Sequence, residues 1–267
     1  MIRQAVSLGL SAALTRAAVS ALRAKAPAGR ERWERENYVG RNVELYAGPA
    51  SALAVAVGAG RVSPAAGVAV AVAGICGAYD DIAGADDARR GFRAHLRALR
   101  DGEVTSGAVK LFGISAAGLV AGAFLKERPL DKVLAGVVIA GAAHFVNLVD
   151  VRPGRAAATV LALGAPGLLR PGPGAEIAAT AMGAAAAVLP DDLGERAMIG
   201  DTGAHALGAA LGAAVVAGWG SSRSTGAESA GGRAWLVAHA AAVVAAAVYG
   251  DKVSEVARSA CVRCDGS

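Results

Sequence analysis

Charged, aromatic and cysteine residues are all scarce in this sequence. Only 18% of its 267 residues are charged and 4% are aromatic, whereas 54% are hydrophobic. A soluble domain carries about 25% charged residues, so the composition excludes an ordinary soluble enzyme. The apolar positions are filled mainly by Ala, Gly, Val and Leu. This composition excludes a disordered tail protein and favours closely packed helices in lipid, because small residues let helices approach one another.

The three cysteines exclude a disulfide scaffold. Cys76 lies in an apolar run, and Cys261 and Cys264 form one CxxC near the C-terminus. A structural zinc site needs a second pair of ligands, and the sequence offers none beside this motif. A secretory cleavage pattern is not recognisable either, because Arg16 interrupts the first apolar stretch.

Long apolar segments dominate the chain. A membrane-spanning helix needs about 20 mostly apolar residues, and nine segments approach that length: 4–22, 47–62, 64–79, 107–125, 132–149, 155–169, 174–190, 203–219 and 233–249. The sequence therefore predicts an all-α, polytopic membrane bundle of about nine helices in one domain, 1–267. Eight spans are the alternative, because Arg16 weakens the first. Residues 220–232 are predicted to be a flexible, exposed connector by composition.

Positive charge orients the predicted bundle. Eighteen Lys and Arg lie on one side and eight on the other, and the richer side comprises loops 23–46, 80–110, 150–155 and 191–201 and the tail 250–267. The side richer in Lys and Arg faces the cytoplasm. This rule places the N-terminus outside and the tail inside a plasma membrane. The net charge of +5 comes with these loops, so a nucleic-acid partner is not expected.

Acidic residues lie at the predicted cytoplasmic ends of the spans. They are Asp80, Asp81, Asp150, Asp191, Asp192 and Asp201. Carboxylates at the ends of apolar helices are costly to desolvate, which makes them functional candidates. Two alternatives stay open: Asp80 and Asp81 as a solvated loop start, and Asp201 as an ordinary N-cap.

A second polar group lies in HFVNLVDVRPGRA. Asn147 and Asp150 are three residues apart and face the same side of a helix, and His144 extends that face. For His144 we favour a satisfied buried histidine. Arg152 and Arg155 suit phosphate, because guanidinium matches its geometry. They are equally interpretable as cytoplasmic anchors.

In their order, these motifs resemble the polyprenyl-phosphate N-acetylhexosamine-1-phosphate transferases, the family that includes phospho-N-acetylmuramoyl-pentapeptide transferase. DD at 80–81, the Asn147–Asp150 pair and Gly200-Asp201 look like its three signature motifs. RENYVGRNVELYAGPA (35–50) and GFRAHLRALRDGEVTSGAVK (91–110) look like its cytoplasmic stretches. The resemblance covers about residues 35–215.

The resemblance implies an enzyme at the cytoplasmic face that moves a sugar-1-phosphate from a UDP-sugar to polyprenyl phosphate and releases UMP in cell-envelope synthesis. It implies Mg²⁺ as cofactor, held by Asp201 and Asp81, and it permits a homodimer. The implied catalytic residues are Asp80, Asp81, Asp150 and Asp201. The implied or candidate substrate contacts are Asn147, Arg152, Arg155 and Lys110. For Lys110, as for Arg93 and Arg97, anchoring at the lipid surface is the alternative.

Two departures from the family pattern keep other functions open. Val151 and Pro153 replace a glycine and a second aspartate, and a late histidine-rich loop has no counterpart, since His239 lies inside the last predicted span. The first alternative is therefore a non-catalytic relative that acts as an assembly or regulatory partner in envelope synthesis. A transporter is the second, and it is disfavoured because transporter sites lie near the midplane of the membrane.

Overall fold

The chain folds mainly into α-helices. A computed structural model describes residues 1–84, 92–218 and 230–259. These residues form eleven α-helices: α1 (Ile2–Lys25), α2 (Ala47–Val62), α3 (Pro64–Ala83), α4 (Phe92–Arg100), α5 (Ser106–Leu125), α6 (Pro129–Val149), α7 (Arg155–Gly164), α8 (Pro173–Leu193), α9 (Gly200–Gly218), α10 (Ala230–Val248) and α11 (Gly250–Ser259). The helical fold class is confirmed.

Five of the described helices are long and apolar enough to cross a membrane: α1, α3, α5, α6 and α10. A shorter apolar stretch, Arg155–Leu169, consists of α7 and a 3₁₀ turn. Every segment predicted to span the membrane coincides with a helix in its described part. The apolar helices support a membrane location, and the count of nine spans stays a prediction.

Helix α9 lies at the centre of the bundle. It packs against α2, α3, α6 and α8, and most of its residues are buried. Its glycines allow close approach, since a Cβ at Gly212 would lie 2.6 Å from the Ile139 Cα of α6. Because small side chains let neighbouring backbones approach, the Ala- and Gly-rich sequence of α9 suits its central position.

Two helices lie in segments that the sequence assigned to a loop and a tail. In the 80–110 segment, α4 is joined to α5 through His95, whose Nδ1 is 3.0 Å from the Thr105 hydroxyl. In the tail, α11 is fastened by Ser254, which donates to the Leu148 carbonyl at 2.8 Å. The predicted connector 220–232 is corrected in part, because its last three residues belong to α10. Its remainder lies outside the described residues, as do Cys261 and Cys264.

A β-hairpin that the sequence did not predict lies before α2. Its strands β1 (Glu34–Glu36) and β2 (Asn42–Glu44) are antiparallel. The Glu44 N–H donates to the Arg196 carbonyl at 3.2 Å, and the Met198 N–H donates to the Glu44 carbonyl at 2.9 Å. Arg35 also donates to the Asp81 carbonyl at 3.0 Å. The hairpin is thus fixed against the segment that precedes α9 and against the end of α3.

Candidate functional site

The candidate carboxylates lie together at one end of the bundle. Asp80 and Asp81 belong to the last turn of α3, Asp150 follows the last residue of α6, and Asp201 lies in the first turn of α9. Asp81 bonds directly to the start of α9, and α6 packs against α9. The antiparallel threading of the helices produces this arrangement, because each of these ends falls on the same side of the bundle.

Lys110 links two of the carboxylates. Its Nζ donates to Asp80 Oδ2 at 2.6 Å and also to Asp201 Oδ2. The lysine side chain is 15% exposed, so the two ion pairs are largely screened from water and are strengthened accordingly. Lys110 therefore joins α3, α5 and α9. The structure places it among the carboxylates and not in the open loop at the lipid surface.

Asp81 caps the N-terminus of α9. Its Oδ1 accepts from the Asp201 N–H at 2.9 Å, and its Oδ2 accepts from the Thr202 N–H at 3.0 Å and from the Thr202 hydroxyl at 2.5 Å. Gly200 allows this close approach with φ +55°, since a Cβ there would lie 3.0 Å from both carboxylate oxygens. The capping carboxylate thus comes from α3. The interpretation of Asp201 as an ordinary N-cap is wrong, because its own carboxylate faces Lys110.

Asp150 is the carboxylate without a direct partner. Within the described residues, its side chain has no hydrogen bond and no ion pair, although it lies next to other acids. Burial raises its pKa well above the usual range, and the charges of Asp192, Asp201 and Asp81 raise it further. Among these, Asp192 accepts from the Gly154 N–H at 3.0 Å, and burial raises its pKa to about 6. Without a cation this cluster therefore favours the protonated form of Asp150, and a cation bound beside it would favour the ionised form.

Two arginines follow Asp150 closely in the chain, Arg152 and Arg155. Arg152 lies over the Tyr38 ring, with its Cζ 4.3 Å from the ring centroid, and donates to the neighbouring Val151 carbonyl at 3.1 Å. Arg155 is half-buried in the first turn of α7, and its side chain has no partner in the described part of the chain. Neither arginine pairs with a carboxylate there. Both are available to an anion such as phosphate.

Asn147 lies one turn before the end of α6. Its carbonyl accepts from the Asp150 N–H at 3.2 Å. The helix ends at Val149, and Asp150 leaves the helical conformation with φ −78° and ψ 58°. Asn147 and Asp150 therefore lie at one helix end, but the shared helical face that their spacing predicts does not extend through Asp150.

The structure corrects the interpretation of His144. Its Nε2 is buried and lacks a hydrogen-bond partner in the described residues, as does the Nε2 of His205. The two rings meet edge to face with their centroids 5.4 Å apart, and His205 Nδ1 lies 2.7 Å from the Asp201 carbonyl. His144 is therefore not a satisfied buried histidine. The sequence signal for His205 is its spacing of four residues from Asp201.

Sequence reasoning also missed the contribution of Tyr38, Arg35 and Asp192 to this end of the bundle. Tyr38 and Arg35 belong to the hairpin, whose strands lack the alternation of apolar and polar residues that would predict them. Asp192 was noted at a helix end but not assigned to the site, and its bond to Gly154 reveals its place. A charged residue next to a site residue in space gives no signal when the two are far apart in the chain.

The donor set suits a divalent cation that binds together with phosphates. Among the described residues, no three acidic, histidine or cysteine side chains converge closely enough to hold a metal ion by themselves. Mg²⁺ is usually held by only one or two carboxylates, with waters and substrate phosphates completing its shell. The Asp150 oxygens have no hydrogen-bond partner among the described residues, and Asp201 has one carboxylate oxygen bonded to Lys110. These two residues fit such a role better than Asp81, whose oxygens both cap α9.

Comparison with known proteins assigns no family to the chain: no family model matches it, and no curated protein is significantly similar to it. The resemblance to the phosphosugar transferases therefore stays a prediction from the sequence motifs.

Proposed function

We propose that the protein is a membrane-embedded transferase that moves a sugar-1-phosphate from a UDP-sugar to polyprenyl phosphate and releases UMP. The observation that carries this proposal is that a carboxylate and a guanidinium at one end of the bundle both lack an oppositely charged partner in the described residues. Asp150 has no cation, and Arg155 has no anion, within the described residues. A site that keeps both signs unpaired can accept a ligand that carries phosphates together with a metal ion.

The site residues divide into those that would bind metal or phosphate and those that position them. Asp201 and Asp150 would hold Mg²⁺, and Arg155 would bind a phosphate of the donor. Asp81 is a positioning residue, because it fixes the first turn of α9 and with it Asp201. Mg²⁺, when bound, neutralises phosphate charge and aligns the two phosphates. Lys110 holds Asp80 and Asp201 together and lowers the repulsion between them.

The proposed reaction is an exchange of one phosphate bond for another. An oxygen of the polyprenyl phosphate attacks the β-phosphorus of the UDP-sugar. The bond from this phosphorus to the bridging oxygen breaks, and UMP leaves with the electron pair of that bond. The attacking phosphate is already ionised at neutral pH, so the chain needs to hold the two phosphates in line more than it needs to remove a proton.

Release of UMP tests the proposal directly. Purified protein in detergent micelles, supplied with polyprenyl phosphate, Mg²⁺ and a panel of UDP-sugars, should release UMP with at least one donor. Omission of the polyprenyl phosphate is the matched control and should abolish the release. No release with any donor, from protein shown to be folded, would refute the transferase activity.

We propose in addition that the preferred donor is a simple UDP-N-acetylhexosamine. A peptide-bearing donor such as UDP-muramoyl-pentapeptide needs contacts beyond the diphosphate and the sugar. The groups at the candidate site are carboxylates, arginines and a helix N-terminus, and these suit a metal ion and phosphates. Competition between the two donors in one reaction measures the preference, and preferential use of the pentapeptide nucleotide would contradict it.

The proposed site faces the cytoplasm, as the distribution of Lys and Arg indicates. Glu36 in the hairpin and Glu127 in the turn between α5 and α6 are both exposed and lie at opposite ends of the bundle. In a variant without native cysteines, Glu127→Cys should react with an impermeant thiol reagent in intact cells, whereas Glu36→Cys should react only after lysis. The reverse pattern would move the carboxylates to the outer face.

A non-catalytic membrane partner in envelope synthesis is the second candidate function. The observation that favours it is the direct bonding of Lys110 to Asp80 and Asp201, together with the capping of α9 by Asp81. Such a network can fasten three helices without any ligand. In that case Asp201→Asn would lower the thermal stability of the protein, and no UDP-sugar would be consumed.

A further inference from the structure

The turn of the β-hairpin presents an exposed aromatic side chain near the candidate site. Tyr38 is 51% exposed and Val39 is 52% exposed. The turn is closed by the Asn37 N–H, which donates to the Arg41 carbonyl at 2.8 Å, and Gly40 supplies φ +76°. The Asn37 side chain accepts from the N–H groups of Val39 and Arg41 at 3.1 and 3.0 Å. Tyr38 is therefore held by an ordered turn.

This turn is also tied to the segment that leads into α9. Asn37 Nδ2 donates to Glu195 Oε2 at 2.9 Å, and Arg41 donates to the same oxygen at 3.3 Å. At the other end of the hairpin, Arg35 donates to the Asp81 carbonyl. The position of Tyr38 relative to the carboxylates is thus set by bonds on both sides of the turn.

Arg152 connects the turn to the site. Its guanidinium lies over the Tyr38 ring at 4.3 Å, although the ring remains half exposed. Arg155 follows three residues later with no partner in the described residues, and Asp150 precedes Arg152 by two. An aromatic ring in contact with one guanidinium group is therefore followed within a few residues by a second guanidinium group and preceded by a carboxylate, neither of which has a partner in the described residues. A nucleotide bound with Mg²⁺ presents the complementary groups, which are a base, phosphates and a cation.

We propose that Tyr38 and Arg152 form the subsite for the aromatic base of the nucleotide donor. The base stacks on the Tyr38 ring, and Arg152 fixes that ring from its other face while its charge faces the phosphates. Arg155 takes a phosphate. This inference rests on the proposed function for the identity of the nucleotide, and it adds residues that the acidic motifs do not include.

The two parts of a nucleotide can be tested separately. Full-length protein in detergent micelles with Mg²⁺ is titrated calorimetrically with UMP and with ribose 5-phosphate, which lacks the base. Tyr38→Ala should weaken UMP binding about tenfold, the scale of one lost stacking contact. It should leave the binding of ribose 5-phosphate unchanged. Tyr38→Phe should bind UMP as the wild type does, because the ring remains.

Tyr249→Ala is the matched control. Tyr249 is also exposed, at 58%, and also carries a cation over its ring, with Lys252 Nζ 5.7 Å from the centroid. It lies between α10 and α11 and not on the hairpin. Its removal should leave UMP binding unchanged.

Three outcomes would overturn the inference. Equal UMP binding by the wild type and Tyr38→Ala would overturn the base subsite but not the proposed transferase. Tyr38 would then be an anchor at the membrane surface. An equal loss of UMP and ribose 5-phosphate in Tyr38→Ala would show that the tyrosine only supports the fold of the turn. A wild-type protein that binds no UMP would overturn both this subsite and the proposed transferase.

Discussion

The two ends of α6 differ in whether the carboxylate there has a cationic partner. At the end away from the site, Asp131 is 1% exposed, and Arg233 donates to both of its oxygens at 2.9 and 3.3 Å. This bidentate pair ties α6 to α10. At the site end of α6, Asp150 is surrounded by acids and has no such partner in the described residues. A paired buried charge fastens helices, whereas an unpaired one is available to a ligand.

The same contrast separates two neighbours in the sequence, Asp191 and Asp192, just beyond the predicted span 174–190. Burial alone would raise the pKa of Asp191, but a hydrogen bond from Arg196 and the charges of Arg23 and Arg16 lower it. Asp192 has no arginine partner in the described part of the chain, and burial raises its pKa to about 6. Adjacent residues therefore differ in role because the surroundings of each carboxylate differ.

The largest expected effect is the loss of sugar-1-phosphate transfer in the variants Asp201→Asn and Asp150→Asn. Each change removes a negative charge from the proposed cation site, so UMP release should fall more than about 100-fold. Asp131→Asn makes the same chemical change at the opposite end and should keep the wild-type turnover number. Near-normal release by both site variants would contradict the proposed mechanism.

A smaller effect is expected from Arg155→Gln. The variant loses a charged hydrogen bond to the donor phosphate, so the KM for the UDP-sugar should rise about tenfold, with little change in kcat. Arg128→Gln is a suitable control, since Arg128 is exposed at the other end of the bundle. An unchanged KM in Arg155→Gln would show that this arginine only anchors the loop.

Loss of the Asp131–Arg233 pair, at the end of the bundle away from the site, should lower the stability of the protein and leave its turnover number unchanged. Asp131→Asn leaves the Arg233 guanidinium without its buried anion, and the free energy of unfolding should fall by about 1–3 kcal/mol. Thermal unfolding in micelles measures the loss. If Asp131→Asn kept its stability but lost activity, the proposed difference between the two ends of the bundle would be contradicted.

The smallest effect is a pH-dependent change in stability at Asp192. An unfolded aspartate ionises near pH 4, whereas the folded pKa of Asp192 is about 6. Between these values the folded state binds more protons, so this residue lowers the free energy of unfolding as the pH rises, and the penalty is constant above pH 6. In metal-free buffer, Asp192→Asn should therefore melt higher than the wild type at about pH 7.5 and equally near pH 4.

Asp191→Asn should show the opposite sign and serves as its control. The pKa of Asp191 is lowered in the folded state, so its contribution to stability is present above the unfolded pKa and is lost as the pH falls through the folded one. The variant should melt lower than the wild type at about pH 7.5. If both variants shifted in the same direction, the environments of the two carboxylates would not differ as described.

The sequence predicted the apolar helices well because a run of apolar residues is a local property of the chain. The apolar run 47–62 coincides with α2, and 107–125 differs from α5 by one residue at its start. The hairpin gave no such signal, because its strands read ERE and NVE. It forms where the backbone of Glu44 meets that of Arg196 and Met198, and these residues are about 150 positions away in the chain.

By itself the sequence determined that the long apolar segments are helical and that acids lie at the ends of several of them. These properties depend on composition and on contacts within a few residues. Only the tertiary structure decided which acids are paired: Lys110 meets Asp201 across 91 residues, and Asp81 caps α9 across 120. Desolvation and Coulomb attraction depend on distances that helix packing sets, so neighbours as close as Asp191 and Asp192 carry opposite shifts.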